Sequence, residues 1–186
     1  MTARRYLLVA AVFAAAGCAA APSKPAPAAT HLRHPLAGAI ASLSPASGTL
    51  VSGRLALTAD GDGVRIVGDI GGLGRGSTHG IHIHERGDCS AADASSAGGH
   101  FNPVGAAHGR AGNAAHHLGD MDNIVADANG VAHVSLRIDG AILGTGGDND
   151  ILGRAIVVHA NPDDYATQPS GNSGPRVACG VIQAGG

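Results

Sequence analysis

Apolar residues in this 186-residue chain come in short runs broken by Gly and Asp, not in long blocks. From about residue 37 they alternate, or nearly alternate, with polar residues. "AIASLS" (39–44), "LVSGRLALTA" (50–59) and "GVRIVGDI" (63–70) show the pattern, the last two joined by the turn "ADGDG" (59–63). Successive side chains of a strand leave opposite faces, so alternation predicts strands with one buried face. "THGIHIHE" (78–85), "GVAHVSLRI" (130–138), "GRAIVVHA" (153–160) and "RVACGVI" (176–182) read as further strands. No segment shows a convincing helical period. Repeated short strands with Gly-rich turns predict an all-β sandwich or barrel. Residues 86–123 and 160–175 lack strand character, and structureless loops of that length are usually functional.

The start of the chain departs from this pattern. Arg4 and Arg5 precede the apolar run "YLLVAAVFAAAGC" (6–18), a secretory-signal pattern too short for a membrane-spanning helix. Its end, "AAAGC", resembles a bacterial lipobox. That predicts loss of residues 1–17 as a signal peptide, with Cys18 as the lipidated N-terminus. An ordinary signal peptide cut nearby is the alternative. Residues 18–36 then form a lipidated cysteine and an Ala/Pro-rich tether, and 37–186 the folded domain. The expected location is the periplasm or cell envelope, with the lipid anchor as the only membrane contact.

Composition narrows the core and the partners. Hydrophobic residues make up 44% and aromatics only 2%, with no Trp, so the core must be Val, Ile, Leu and Ala. The formal charge is −2, and removal of Arg4 and Arg5 makes it more negative. No basic stripe is present, which excludes nucleic acid as a partner.

The histidines change the picture most. There are 11, against a single lysine (Lys24) and a single glutamate (Glu85). His82 and His84 lie two apart in "HGIHIHERGDC" (79–89), so on a strand both reach one face and one ion. His79 is predicted to face the other way as a structural hydrogen-bonding residue. The first long loop carries His100, His108, His117 and Asp120, three imidazoles and a carboxylate that suit tetrahedral zinc. His159 ends the apolar run "AIVVH", where a strand would deliver it to a loop-lined site. Imidazole-rich sites suit copper as well as zinc. A solvated His-rich loop is the alternative that the spacing alone leaves open.

The flanking residues carry a resemblance. "HGIHIHERGDC", "GGHFNP", "HLGD", "GRAIVVHANPDD" and "SGNSGPRVACGVI", in that order over about residues 76–182, resemble copper/zinc superoxide dismutases of the bacterial, exported branch. The resemblance implies an eight-stranded Greek-key β-sandwich or flattened barrel. It implies copper on His82, His84, His100 and His159, and zinc on His100, His108, His117 and Asp120, with His100 bridging the two metals. It also implies that Asp163 links His82 to His108. Cys89 and Cys179 match the family's disulfide, a pair that an oxidising compartment supports. Arg176 matches the arginine that attracts the anionic substrate, superoxide, and Ser170 falls on the channel wall. His31, His34, His116 and His133 have no counterpart among the ligands. Steering is expected from Arg110 and Arg176, because the chain has no lysine beyond Lys24. The implied activity is dismutation of superoxide to O2 and hydrogen peroxide, with copper cycling by one electron and zinc structural. A metal-sequestering lipoprotein on the same fold, without turnover, is the rival reading. A monomer or a homodimer fits equally.

Overall fold

The computed structural model describes Leu36 and residues 38–185. The expected signal peptide, Cys18 and most of the tether, with Lys24, His31 and His34, lie outside the described residues. The chain divides into Met1–His31 and Leu32–Gly186, and everything described falls in the second unit.

Nine strands and one 3-10 turn, Ser95–Ala97, form the described chain. The strands are β1 (Gly38–Pro45), β2 (Ser52–Asp60), β3 (Gly63–Gly71), β4 (Thr78–His79), β5 (Ile81–His84), β6 (Ile124–Val125), β7 (Ala132–Asp139), β8 (Ala155–His159) and β9 (Arg176–Ala184). No α-helix occurs among the described residues. Seven strands make one curled antiparallel sheet in the order β5-β8-β9-β1-β2-β3-β7, and β4 pairs with β6. Chain neighbours β3 and β5 thus stand far apart in the large sheet, and β7 returns beside β3. That crossing is the Greek-key connection the family resemblance implies.

The alternating segments became strands with one buried face. In β2, Leu55 and Leu57 are buried while Arg54, Ala56 and Thr58 are exposed. Val64, Ile66 and Ile70 of β3 and Val134 and Ile138 of β7 join them in one core with Ile81, Ile83, Ile156 and Val158. Burying each such side chain contributes about 1.5–3 kcal/mol, so a core without Trp still suffices.

Two boundaries differ from the sequence reading. The single strand expected over 78–85 is split at Gly80, with β4 and β5 in different sheets. The Gly80 amide donates to Asn161 O and its carbonyl accepts from His159 N–H, so the chain changes partners there, from β6 to the end of β8. A Cβ at Gly80 would stand 2.9 Å from Ser173 Oγ, which favours glycine at the break. The two-residue β6 went unread because a strand that short has no periodicity to detect.

Candidate metal centre

β5 and β8 are buried on both faces. Their inner side chains, Ile81, Ile83, Ile156 and Val158, enter the core. On the outer face His82 and His84 stand beside Val157 and Ala155 across the ladder. The first long loop covers that face. Its residues 99–101 and 119 add to the free edge of β5: Phe101 N–H donates to Ile83 O, Ile83 N–H to Gly119 O, and Glu85 N–H to Gly99 O. This backbone pairing places His100 opposite His84 and Asp120 opposite His82. Gly119 is required for the approach, because a Cβ there would come within 2.3 Å of Ile83 O. Phe101 enters the core beneath, with the Arg154 guanidinium 4.0 Å from its ring centre. A second cluster of Ala46, Ala94, Ala97, Ala155, Val157 and Cys179 fastens the loop to the sheet. The Cys89–Cys179 disulfide ties it to β9.

The result is two ligand clusters sharing one residue. His82, His84, His100 and His159 form one, and His100, His108, His117 and Asp120 the other, with donor atoms within 4.8 Å of one another in each. All seven residues are buried. Hydrogen bonds to the far nitrogens set which atom of each ring faces inward. His82 Nε2 donates to Asp163 Oδ2 at 2.8 Å, leaving Nδ1 free. His84 Nδ1 donates to Gly98 O at 2.8 Å and His159 Nδ1 to Gly174 O at 3.2 Å, leaving both Nε2 atoms free. His108 Nε2 donates to Asp163 Oδ1 at 3.0 Å, leaving Nδ1.

These inward atoms demand a cation. His82 Nδ1, His100 Nε2 and His117 Nδ1 are buried with no hydrogen-bond partner. His84 Nε2 and His159 Nε2 sit 3.3 Å apart with lone pairs facing. Asp120 Oδ1 has three imidazole nitrogens around it, of His100 at 2.8 Å, His108 at 3.0 Å and His117 at 3.3 Å. Ligands bound to zinc at 2.0–2.2 Å in a tetrahedron stand about 3.3–3.5 Å from each other. The second cluster is close to that geometry, and the donor set of both fits the expected metals.

Electrostatics agree. Burial is the main cause that lowers His82 to about 4 and His159 to about 3, and it holds His84 well below its ordinary value. Burial also lowers His117. Neutral imidazole is the form that binds a metal. Burial works to raise Asp120, but hydrogen bonds from His100 and from the His117 and Gly109 amides outweigh it and keep the carboxylate ionised. Asp163 follows the same balance, with burial opposed first by its bond to His82.

A cavity of about 490 Å³ opens onto this centre, lined by His84, His100, His117, His159, Ser170 and Arg176 among others. The Arg176 guanidinium donates to Ala94 O and Gly98 O, both at 2.6 Å. Burial lowers its pKa and nearby Asp93 opposes that, yet a guanidinium stays a cation at neutral pH. Arg110 does not line this cavity. It pairs with Asp122 at 2.8 Å and lies over the Tyr165 ring, so steering by Arg110 lacks the geometry that Arg176 has.

The remaining histidines among the described residues fall outside both clusters. His79 is buried, with Nδ1 donating to His159 O, which supports a ligand's backbone as a structural residue would. His133 pairs with Asp69 on the exposed face, and His116 bonds Asn113 O. Sequence reasoning missed two amides. Asn123 brackets Asp163, its Nδ2 donating to Asp163 O and its Oδ1 accepting from Asp163 N–H, at 2.9 and 2.8 Å. Gln168 does the same to His108. The only sequence signal was their position, three beyond Asp120 and next to Pro169.

Comparison with known proteins agrees with this centre. The family model described as copper/zinc superoxide dismutase matches residues 51–182. "Superoxide dismutase (Cu-Zn) 2" of Aquifex aeolicus (strain VF5) is 40% identical over 136 residues, covering 72% of this chain and 80% of the relative. Among solved structures, the clock protein EA4 superposes with a TM-score of 0.73 at 37% identity, over 83% of this chain and 98% of that one. A double mutant of a SOD-like protein from Bacillus subtilis gives 0.71 at 38%, over 77% and 96%.

Proposed function

The chain belongs to the copper/zinc superoxide dismutase family, and from that premise we propose which of its residues do what. The activity is dismutation of superoxide to O2 and hydrogen peroxide, with copper and zinc as cofactors. Copper, when bound, supplies the one-electron redox step, while zinc supplies fixed charge and structure. His82 Nδ1 and the Nε2 atoms of His84, His100 and His159 would hold copper. The Nδ1 atoms of His100, His108 and His117 would hold zinc with Asp120 Oδ1. The observation that carries this reading is His100, whose Nδ1 faces Asp120 and whose buried Nε2 faces the other cluster without a partner.

Peroxide formation consumes two protons, and His100, whose Nε2 would be a copper ligand beside the cavity, is the residue placed to hand one on when that ligation is released. Arg176 holds a permanent positive charge at the same cavity and draws in and orients the superoxide anion. Asp163 fixes both His82 and His108 through their far nitrogens. The loops exclude bulk solvent, which strengthens each of these charge interactions.

The protein is exported, with Cys18 as a lipid anchor to the cell envelope and superoxide as its small-molecule partner. The lipobox residues support this, and the Cys89–Cys179 disulfide suits an oxidising compartment. Detergent partitioning and the mass of the N-terminal peptide test the anchor; a mature chain that starts beyond Cys18 without lipid overturns it.

The metal assignment is tested by placing paramagnetic cobalt in the zinc site of the copper-loaded protein. Magnetic coupling between the ions is expected in the native chain and lost in His100→Ala. Both metals bound without coupling would overturn the bridge, and both bound without dismutation would favour a sequestering protein.

A further inference from the structure

We propose that Gln168 is a positioning residue for His108, and that its side-chain amide latches the second long loop onto the zinc site. The inference rests on the ligand assignment above and adds a residue that touches neither metal nor substrate. Gln168 Oε1 accepts from the His108 N–H and Gln168 Nε2 donates to His108 O, both at 2.9 Å across 60 residues of sequence. One amide thereby takes both backbone groups of one residue, as a neighbouring strand would in a ladder. His108 lies in an irregular stretch with no strand beside it, so no sheet holds its backbone in place.

The side chain of His108 is met by the same loop. Asp163 Oδ1 accepts from its Nε2 at 3.0 Å. Gly171 packs over this contact, where a Cβ would come within 2.7 Å of His108 Nε2 and 1.7 Å of Asp163 Oδ1. Gly171 also has φ +65°, so both its conformation and its space favour glycine. The carboxylate alone holds the ring at one atom and leaves it free to pivot. The amide fixes the backbone from which the ring hangs, so together they set Nδ1 against Asp120 Oδ1 at 3.0 Å. Gln168 is an exposed residue, yet both ends of its amide are committed to this single partner, with a further contact from Nε2 to Ala166 O. Pro169 and Ser170, next in the chain, line the copper-side cavity. The latch therefore joins the zinc ligand to the wall of the substrate channel.

The test uses the full chain loaded with copper and zinc, in Gln168→Ala and Gln168→Glu. An ionised glutamate keeps the size of glutamine but sets an oxygen against His108 O. Metal affinities are read by competition with chromophoric chelators, and the zinc-site geometry from the visible spectrum of the cobalt-substituted protein. Outer partners of ligands typically contribute about 10- to 100-fold to metal affinity. Zinc affinity should fall by about that factor in both variants, with copper affinity within about twofold of wild type and an altered cobalt spectrum. Zinc affinity unchanged in both variants overturns the latch. So does a parallel loss of copper, zinc and melting temperature, which would mark general loosening. The ligand assignment has its own control: a wild-type cobalt spectrum that is not tetrahedral, or one that survives His108→Ala, overturns the assignment and the latch with it.

Discussion

The two parts of the large sheet on either side of β9 are built from the same kind of strand and put to opposite uses. In β1, β2, β3 and β7, inward Leu, Ile, Val and Ala alternate with outward residues that meet water. In β5 and β8 every residue is buried, because the loops cover the outer face, where the histidine side chains form the candidate metal clusters. The bare half rests on its apolar core and its ladder of backbone pairs, with no ligand cluster among its own described residues. The covered half adds a cluster of buried polar groups that burial penalises unless a metal completes it. The comparison teaches that stability and function are separable across this sheet, a division that measurements on either half can break or sharpen.

The largest effect is expected from acid. Unperturbed imidazole titrates at 6.5, but burial holds His82 near 4 and His159 near 3 in the folded, metal-free chain. The folded values are depressed, so the unfolded chain takes up protons first. Stability of the metal-free protein is therefore complete above pH 6.5 and is lost as pH falls toward 4 and 3. A tenfold difference in proton affinity between the folded and unfolded chain corresponds to about 1.4 kcal/mol, so each buried ring adds to the loss of stability through this window. Circular dichroism of the metal-free chain should show unfolding in that window, and a flat signal would mean that the covered half carries no such penalty. Leu57→Ala, in the bare half, comes next. It should cost about 2–5 kcal/mol in denaturant unfolding while both metals still bind, and a loss of metal affinity would erase the separation.

Asp163→Asn should leave the core intact but weaken metal binding by about 10- to 100-fold, because an amide cannot accept from His82 and His108 together. Equilibrium dialysis against both metals checks this, and retention of wild-type affinity would remove Asp163 from the account. The smallest effect is expected for Arg176→Ile, which alters charge at the cavity without touching a metal. The dismutation rate should fall by about tenfold, at the low end of what a focused field supplies, and become less sensitive to salt. Unchanged activity at low ionic strength would place substrate capture elsewhere.

Much of this was legible in the sequence, for physical reasons. Alternation revealed β1, β2, β3 and β7 because one face of each is wet. β5 and β8 are less distinct by pattern, since both faces are covered, and only the spacing of His82 and His84 betrayed the special face. The break at Gly80 was hidden because it depends on Asn161, which is 81 positions away. The candidate ligands were read from the family's motifs, and the structure brings them together in two clusters. Asn123 and Gln168 stayed invisible because their work is done on backbone groups 40 and 60 residues distant, which leaves no local pattern.

The Gly98 carbonyl accepts both from His84 Nδ1 and from Arg176. On the proposed assignment, one peptide oxygen thus holds a ligand of the redox metal with one lone pair and the substrate's counter-ion with the other. Redesign of the loop around residue 98 cannot tune these two separately. A variant isolated for altered anion affinity should also carry a shifted copper spectrum, and a library selected on one property would drag the other along with it.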